Sequence, residues 1–195
     1  WLKRNSQTPT YYRNLYKAAY AAIKRADPAA KVFFGEMASG KDALSLLAKT
    51  ARPGSNLRAD GLAHHPFQFY TYPGARETKY AGISNLAKIQ ATMRTLARTR
   101  GIRTPSGGAL PIYYTEFGYL RRGIYTMTET KRSQWAFAAY RLIKRQGAVR
   151  QFLWYQLYTP PIKKVLWDSS LLSTAGTPYR TFSAIVAATR GWKQS

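Results

Sequence analysis

The alternation of two kinds of apolar segment constrains the fold of this chain more than any other feature. Short runs rich in β-branched and aromatic residues alternate with longer stretches whose apolar residues recur at helical spacing. The short runs cover residues 31–36, 60–64, 110–116 and 149–157, and each is typical of a strand. Strands joined through helices pair in parallel, with right-handed crossovers. The sequence therefore predicts an α/β fold built on a parallel sheet.

Five helices are predicted from capping residues and periodicity. The first begins at Thr8-Pro9, since threonine caps a helix and proline suits its first turn, and it ends at Asp27-Pro28. Its apolar residues at helical spacing are Tyr11, Leu15, Ala18, Ala19, Ala22, Ile23 and Ala26. The other helices are expected near residues 41–50, from Ser84, from Thr128 to Gly147, and from Thr177-Pro178.

One helix followed by four strand–helix pairs corresponds to half of a (β/α)8 TIM barrel, which needs about 250 residues when complete. The chain has 195 residues and starts on a helix. A four-stranded open sheet is the alternative architecture. We expect residues 1–195 to form the C-terminal half of a barrel, namely strands 5 to 8 preceded by helix 4, with the N-terminal half absent.

The charge of the chain is strongly positive. It has 31 Lys and Arg against 8 Asp and Glu, a formal charge of +23, which attracts nucleic acid or other acidic polymers. No zinc-finger, basic-zipper or ribonucleoprotein pattern accompanies the charge, so nucleic acid is not the expected partner. We expect many cations on the solvated side of helices, among them Arg94, Arg98, Arg100, Lys131, Arg132, Arg141, Lys144 and Arg145. No apolar stretch approaches the roughly 20 residues of a membrane span, so no membrane partner is expected.

Residues 110–119 form an apolar and aromatic run that ends in one carboxylate, Glu116, just before Gly118. In α/β barrels the chemistry lies at the carboxyl ends of the strands. Alternation along a strand predicts that Ile112, Tyr114 and Glu116 share the face directed into the barrel mouth. The alternative is that Glu116 is only the first polar residue of a surface loop.

Four motifs together carry a family resemblance. They are Asp27-Pro28 with Lys31-Val32, His65-Pro66-Phe67 after Asp60-Gly61, Thr115-Glu116-Phe117-Gly118, and Phe152-Leu153-Trp154-Tyr155. In this order the chain resembles the second half of the retaining glycoside hydrolases of clan A, a group of (β/α)8 barrels that includes cellulase-like and xylosidase-like enzymes. The resemblance implies hydrolysis of O-glycosidic bonds in a poly- or oligosaccharide.

The resemblance also implies catalytic roles. Glu116 corresponds to the nucleophile on the seventh strand, and the acid/base is a glutamate in an Asn-Glu-Pro-like motif expected upstream of Trp1. This chain lacks that glutamate, so the fragment alone is expected to be inactive. Glu36 and Asp168 could approach the mouth, but neither occupies the position of the acid. Both could instead make structural hydrogen bonds.

The resemblance implies that His65 lines the sugar subsite, where an imidazole can bond a hydroxyl or orient the nucleophile. The alternative is that His64 or His65 satisfies loop backbone groups. Adjacent histidines on a strand point to opposite faces, so we expect neither a metal site nor any other cofactor.

Aromatic residues complete the predicted sugar site. Trp154 could offer an indole platform to a pyranose, or could fill the core. Tyrosines and tryptophan at strand ends and in the following loops favour a carbohydrate cleft: Tyr70, Tyr72, Tyr155, Tyr158 and Trp167. The expected substrate-binding residues are His65, Trp154, Tyr72, Tyr114 and Trp167. A non-catalytic carbohydrate-binding barrel and a basic nucleic-acid-binding protein are the alternative functions, and a polysaccharide substrate favours an extracellular location.

Overall fold

A computed structural model describes residues 5–77, 79–161 and 165–192. The helices are α1 (Thr8–Ala26), α2 (Ala43–Thr50), α3 (Leu86–Arg98), α4 (Glu129–Gln146) and α5 (Arg180–Thr189), with a 3-10 turn, Ile83–Asn85, before α3. The strands are β1 (Phe33–Ala38), β2 (Leu57–Arg58), β3 (Gly61–His65), β4 (Ile102–Arg103), β5 (Ile112–Phe117), β6 (Arg122–Gly123), β7 (Val149–Trp154) and β8 (Trp167–Asp168). None of the described helices is long and apolar enough to cross a membrane.

The main sheet has four strands in the order β1-β3-β5-β7, and all three pairings are parallel. This confirms the predicted parallel α/β fold. The strand order follows the chain without the reversal that marks a doubly wound sheet. Within the described residues β1 and β7 are the edges, and the sheet does not close into a barrel. Two short ribbons, β2-β4 and β6-β8, lie outside it.

The hydrophobic core lies between one face of the sheet and the helices. The buried residues of the main sheet in this core are Phe34, Leu62, Ile112, Tyr114, Phe117, Val149 and Phe152. The Phe34 ring lies 4.8 Å from Tyr16 of α1, and Phe152 lies 4.6 Å from Tyr140 of α4. Local signals for α4 are confirmed, since Thr128 Oγ1 accepts a bond from the Lys131 amide and Gly147 ends the helix with φ 63°.

The apolar positions expected along α1 do not face the sheet. Tyr11, Leu15 and Ile23 are 59%, 62% and 41% exposed. Tyr12 and Tyr16 face the sheet instead: their hydroxyls donate to the carbonyls of Gly35 and Arg58, both at about 3 Å. A tyrosine combines an apolar ring with a polar tip, so it can pack on a strand and also satisfy its backbone. The alanines of α1 recur at helical spacing, but they do not make the contact between the helix and the sheet.

Arg132 was expected on the solvated side of α4, but its side chain is fully buried. Its guanidinium donates to the carbonyls of Tyr119, Ser169 and Ser170 and to the Glu129 carboxylate. Bonds on all sides compensate the cost of burying this charge. Arg132 thereby ties α4 to the loops that follow β5 and β7.

Several predicted boundaries moved by a few residues, two of them near the C-terminus. The strand expected to reach residue 157 ends at Trp154, and the last helix begins at Arg180 rather than at Thr177. Pro178 makes a bridge to Leu172 instead of opening the helix. The loop between these elements carries β8, which lies beside the end of β5 through its pairing with β6.

Candidate active site

A β-bulge near the end of β5 turns Glu116 away from the core. Tyr114 pairs with Phe152 and Phe117 pairs with Trp154, so Thr115 and Glu116 together face a single residue of β7. A bulge of this kind re-aims side chains and is common beside active sites. Tyr114 and Phe117 are both fully buried, whereas the Glu116 side chain is 34% exposed. The expectation that Tyr114 shares a face with Glu116 is therefore wrong.

A second bulge lies at the same end of β1. Gly35 pairs with Ala63 and Met37 with His64, which leaves Glu36 as the extra residue. Glu36 has φ 59°, a left-handed conformation that is uncommon for glutamate. Both bulges therefore present a carboxylate at the carboxyl end of the sheet.

His65 lies between these two carboxylates because β3 lies between β1 and β5. Its Nε2 is 2.7 Å from Glu36 Oε2, and its Nδ1 is 3.5 Å from Glu116 Oε2. An ionised carboxylate only accepts, so the short bond assigns a proton to Nε2. Thr115 Oγ1 donates to the other oxygen of Glu36 at 3.0 Å. Glu36 thus fixes the ring that faces Glu116.

His64 points the other way and is buried. Its Nε2 donates to the Ala81 carbonyl at 2.6 Å, and burial lowers the pKa of His64 to about 4. The two adjacent histidines therefore lie on opposite faces, as alternation predicts. Among the described residues no three His, Asp or Glu side chains are grouped so that they could hold a metal ion.

A cavity of about 620 Å³ opens in front of Glu116 and His65. Much of its wall is aromatic: Phe67, Phe69, Tyr70, Tyr80, Tyr125, Tyr155 and Trp167. Trp167 meets Phe67 edge to face at 4.8 Å, and Tyr125 stacks on Phe69 at 4.8 Å. A second cavity of about 500 Å³, between β1, α1 and α2, is also lined by Glu116 and His65. The two cavities meet at these residues.

Of the six residues predicted for the site, the structure brings together Glu116, His65 and Trp167. The other three lie elsewhere. Tyr114 is in the core, where burial raises its pKa and its hydroxyl has no hydrogen-bond partner. Trp154 packs against Phe117, and its Nε1 donates to the Ser169 carbonyl at 2.7 Å.

Tyr72 also lies away from Glu116. It is 51% exposed, and its ring lies 5.8 Å from Trp135 of α4. Three aromatic residues of the cavity wall were not predicted from the sequence: Phe69 and the loop residues Tyr80 and Tyr125. The alternation of Phe67 and Phe69 around the buried Gln68 was the available signal for the first. The two tyrosines had none, because they lie in loops.

Asp168 has a structural role. It is fully buried and accepts bonds from Arg121, Arg122, Thr159 and Ser170. Burial alone would raise the pKa of Asp168, but the hydrogen bonds from Ser170, Arg122 and Thr159 hold it well below its usual range. The same bonds anchor the loop that carries Trp167.

The fold is similar to parts of several solved glycoside hydrolases. One is a family 39 glycoside hydrolase from the gut symbiont Bacteroides cellulosilyticus WH2, with 18% sequence identity and a TM-score of 0.69. The match covers 97% of this chain and 39% of that protein. The match to an exo-β-agarase covers 93% of this chain and 22% of that protein, with 11% sequence identity and a TM-score of 0.61. The match to the β-glucuronidase of Bifidobacterium dentium covers 100% of this chain and 29% of that protein, with 12% sequence identity and a TM-score of 0.58.

The chain thus spans less than two fifths of each of these proteins. No protein-family model matches the sequence, and no curated protein does. The structural matches nevertheless cover nearly all of the described fold. The chain therefore has a glycoside-hydrolase-like α/β fold.

Proposed function

We propose that the protein containing this chain is a retaining glycoside hydrolase that cleaves O-glycosidic bonds of a poly- or oligosaccharide, with Glu116 as the nucleophile. The observation that carries the proposal is the bulge in β5, which directs the Glu116 carboxylate to the carboxyl end of the parallel sheet, beside an aromatic cavity. The glycoside-hydrolase-like fold supports the same reading.

In this mechanism a Glu116 oxygen attacks the anomeric carbon while the bond from that carbon to the leaving oxygen breaks. A second carboxylic acid protonates the leaving oxygen as it departs. The sugar is then an ester of Glu116. Water, deprotonated by the same second carboxylate, attacks the anomeric carbon and releases Glu116, so the anomeric configuration is retained.

Glu36 is poorly placed to be that second acid. The His65 ring lies between Glu36 and Glu116, so a sugar cannot lie between the two carboxylates. Both oxygens of Glu36 already accept bonds, from His65 and Thr115. We assign Glu36 and His65 to positioning Glu116, and the acid/base to a part of the protein outside this chain.

Trp167 is the residue best placed to bind the sugar ring. It lines the cavity with Glu116, and an indole covers the C–H face of a pyranose while hydroxyls find polar partners. His65 supplies one such polar group at the boundary between the two cavities.

Replacement of Glu116 in the intact protein tests the proposal. We expect Glu116→Gly to retain its circular dichroism spectrum and lose turnover by on the order of 10³-fold or more. With an aryl glycoside whose leaving group needs no protonation, added azide should enter the vacated space and restore turnover, forming a glycosyl azide of inverted configuration.

Glu36→Gly is the matched control, because it removes the other carboxylate on the same imidazole and leaves the same space for azide. Its turnover should fall less, and azide should not restore it, since no nucleophile has been removed. Hydrolysis by Glu116→Gly at the wild-type rate would exclude Glu116 as nucleophile. Azide rescue of the Glu36 variant alone would transfer the role to Glu36.

A further inference from the structure

The cavity beside Glu116 has a charge opposite to that of the rest of the chain. The chain carries +23, yet none of the described residues that line the cavity is Lys or Arg. Its charged lining residues are Glu77 and Glu116. Within the described residues, the surface where we place the sugar therefore carries carboxylates and no Lys or Arg.

Two arginines near this wall are already engaged in ion pairs. Arg121 and Arg122 precede Tyr125 in the chain, and both form ion pairs with Asp168 at 2.8 Å. Because Asp168 is fully buried, releasing either guanidinium to a ligand would leave a buried charge less well compensated. These two cations are held by the fold and are poor partners for an anionic sugar.

Lys79 is a described cation that lies near the cavity wall. Its Nζ lies 5.7 Å from the centre of the Tyr80 ring, which lines the cavity. The ammonium lies over a ring and does not itself line the cavity. Glu77 is held beside it, because Glu77 Oε1 accepts from the amides of Lys79 and Tyr80 at 2.7 and 3.3 Å. A carboxylate is thus fixed where an anionic substituent would need a cation.

The remainder of the wall suits an uncharged ring. Trp167, Phe67, Phe69 and Tyr125 contact one another and present aromatic surface, which binds C–H faces. Recognition of a carboxylate or sulfate group relies on arginine forks or lysine ammonium groups, and the described lining supplies neither.

From this geometry we propose that the cavity accepts uncharged sugar units and discriminates against uronic acid and sulfated units. The inference rests on the proposed function and adds the class of substrate. The basic outer surface then attracts anionic polymers, whereas the cleft does not bind charged sugar units.

Binding to the intact Glu116→Gln protein, which cannot form the glycosyl ester, tests the inference. The probes are neutral oligosaccharides (cello-, xylo-, manno- and agaro-hexaose) and acidic ones (hexagalacturonate and sulfated agaro-hexaose), measured by calorimetry. Measurements at about 0.15 M and about 1 M salt separate surface attraction from cleft binding, since the Debye length falls from about 8 to about 3 Å. At high salt we expect one neutral probe to bind at least about tenfold more tightly than either acidic probe.

Two variants locate the discrimination. Glu77→Gln keeps an oxygen for the two amides and removes the charge, so the ratio of acidic to neutral affinity should rise several-fold. Lys79→Met should leave that ratio unchanged, and a fall would show that Lys79 recognises anions.

The outcomes are distinguishable. Tighter high-salt binding of an acidic probe, with turnover of the wild-type protein on it, would overturn the inference and leave the glycosidase proposal standing. Absence of binding and of hydrolysis across all probes would count against both. An unchanged ratio in Glu77→Gln would remove the electrostatic basis of the inference.

Discussion

Replacement of Asp168 by asparagine should destabilise the protein strongly, although the two side chains have nearly the same shape. All five groups that bond to Asp168 are donors. Oδ1 accepts from Thr159 Oγ1 at 3.0 Å and from the Ser170 amide and hydroxyl at 3.1 and 2.6 Å. Oδ2 accepts from Arg121 Nη2 and Arg122 Nε, both at 2.8 Å. An amide has one oxygen, so at least two donors must face its NH2 group.

The less costly orientation turns the asparagine nitrogen toward the arginines, because their side chains are 27% and 48% exposed and can rotate into water. The variant then loses two charge-assisted hydrogen bonds, each about 1.5–3 kcal/mol. Removing one partner of a buried ion pair costs about 3–5 kcal/mol in general. We expect a decrease of about 3–5 kcal/mol in the free energy of unfolding of Asp168→Asn.

Urea denaturation of the intact protein at pH 7 measures this change. The native pKa of Asp168 is lowered from 3.8, so its contribution is complete above pH 3.8 and is lost only as the pH falls through the lowered value. Asp27→Asn is the control: Asp27 is exposed and accepts one bond, from the Ala29 amide at 2.9 Å, so its effect should stay below about 0.5 kcal/mol. A loss below about 1 kcal/mol for Asp168→Asn, with an unchanged denaturant slope, would refute the reasoning.

Two further predictions concern buried groups. The pKa of His64 is about 4 in the native state against 6.5 in the unfolded chain, so the unfolded state binds more protons between these values. The free energy of unfolding should therefore fall by about 3 kcal/mol as the pH drops through this window. His64→Gln should remove that part of the pH dependence, measured by urea unfolding. The same change of unfolding free energy with pH in the variant would contradict the prediction. Tyr114→Phe removes a buried hydroxyl without a partner and should raise the free energy of unfolding by about 1 kcal/mol, whereas Tyr16→Phe removes the bond to the Arg58 carbonyl and should lower it by a similar amount. A loss of stability in Tyr114→Phe as large as that in Tyr16→Phe would contradict the prediction.

The sequence predicted the elements well where the signals are local. The order of five helices and four long strands, the cap at Thr128 and the end at Gly147 all follow from neighbouring residues. The opposite orientation of His64 and His65 follows from strand alternation alone. Such signals involve residues a few positions apart, and long-range packing did not override them here.

Prediction failed where one inserted residue changes which face a side chain occupies. Alternation placed Tyr114 with Glu116, but the bulge after Tyr114 separates them. Trp154 pairs with Phe117 and packs against the core, whereas Trp167 lines the cavity. In α1 the apolar spacing predicted the helix but not its buried side, because Tyr12 and Tyr16 make the contacts with β1. Each error concerns which partner a residue meets.

The pattern of apolar residues and turns is enough to predict a parallel α/β chain with a carboxylate at the end of one strand. The meeting of Glu36, His65 and Glu116 follows from tertiary packing, because Thr115 and Glu36 are 79 positions apart and His65 and Glu36 are 29 apart. These contacts depend on the order of strands in the sheet and on two bulges in their register. Register is a property of paired strands, so the sequence of one strand does not show which residue of the neighbouring strand each of its residues will face.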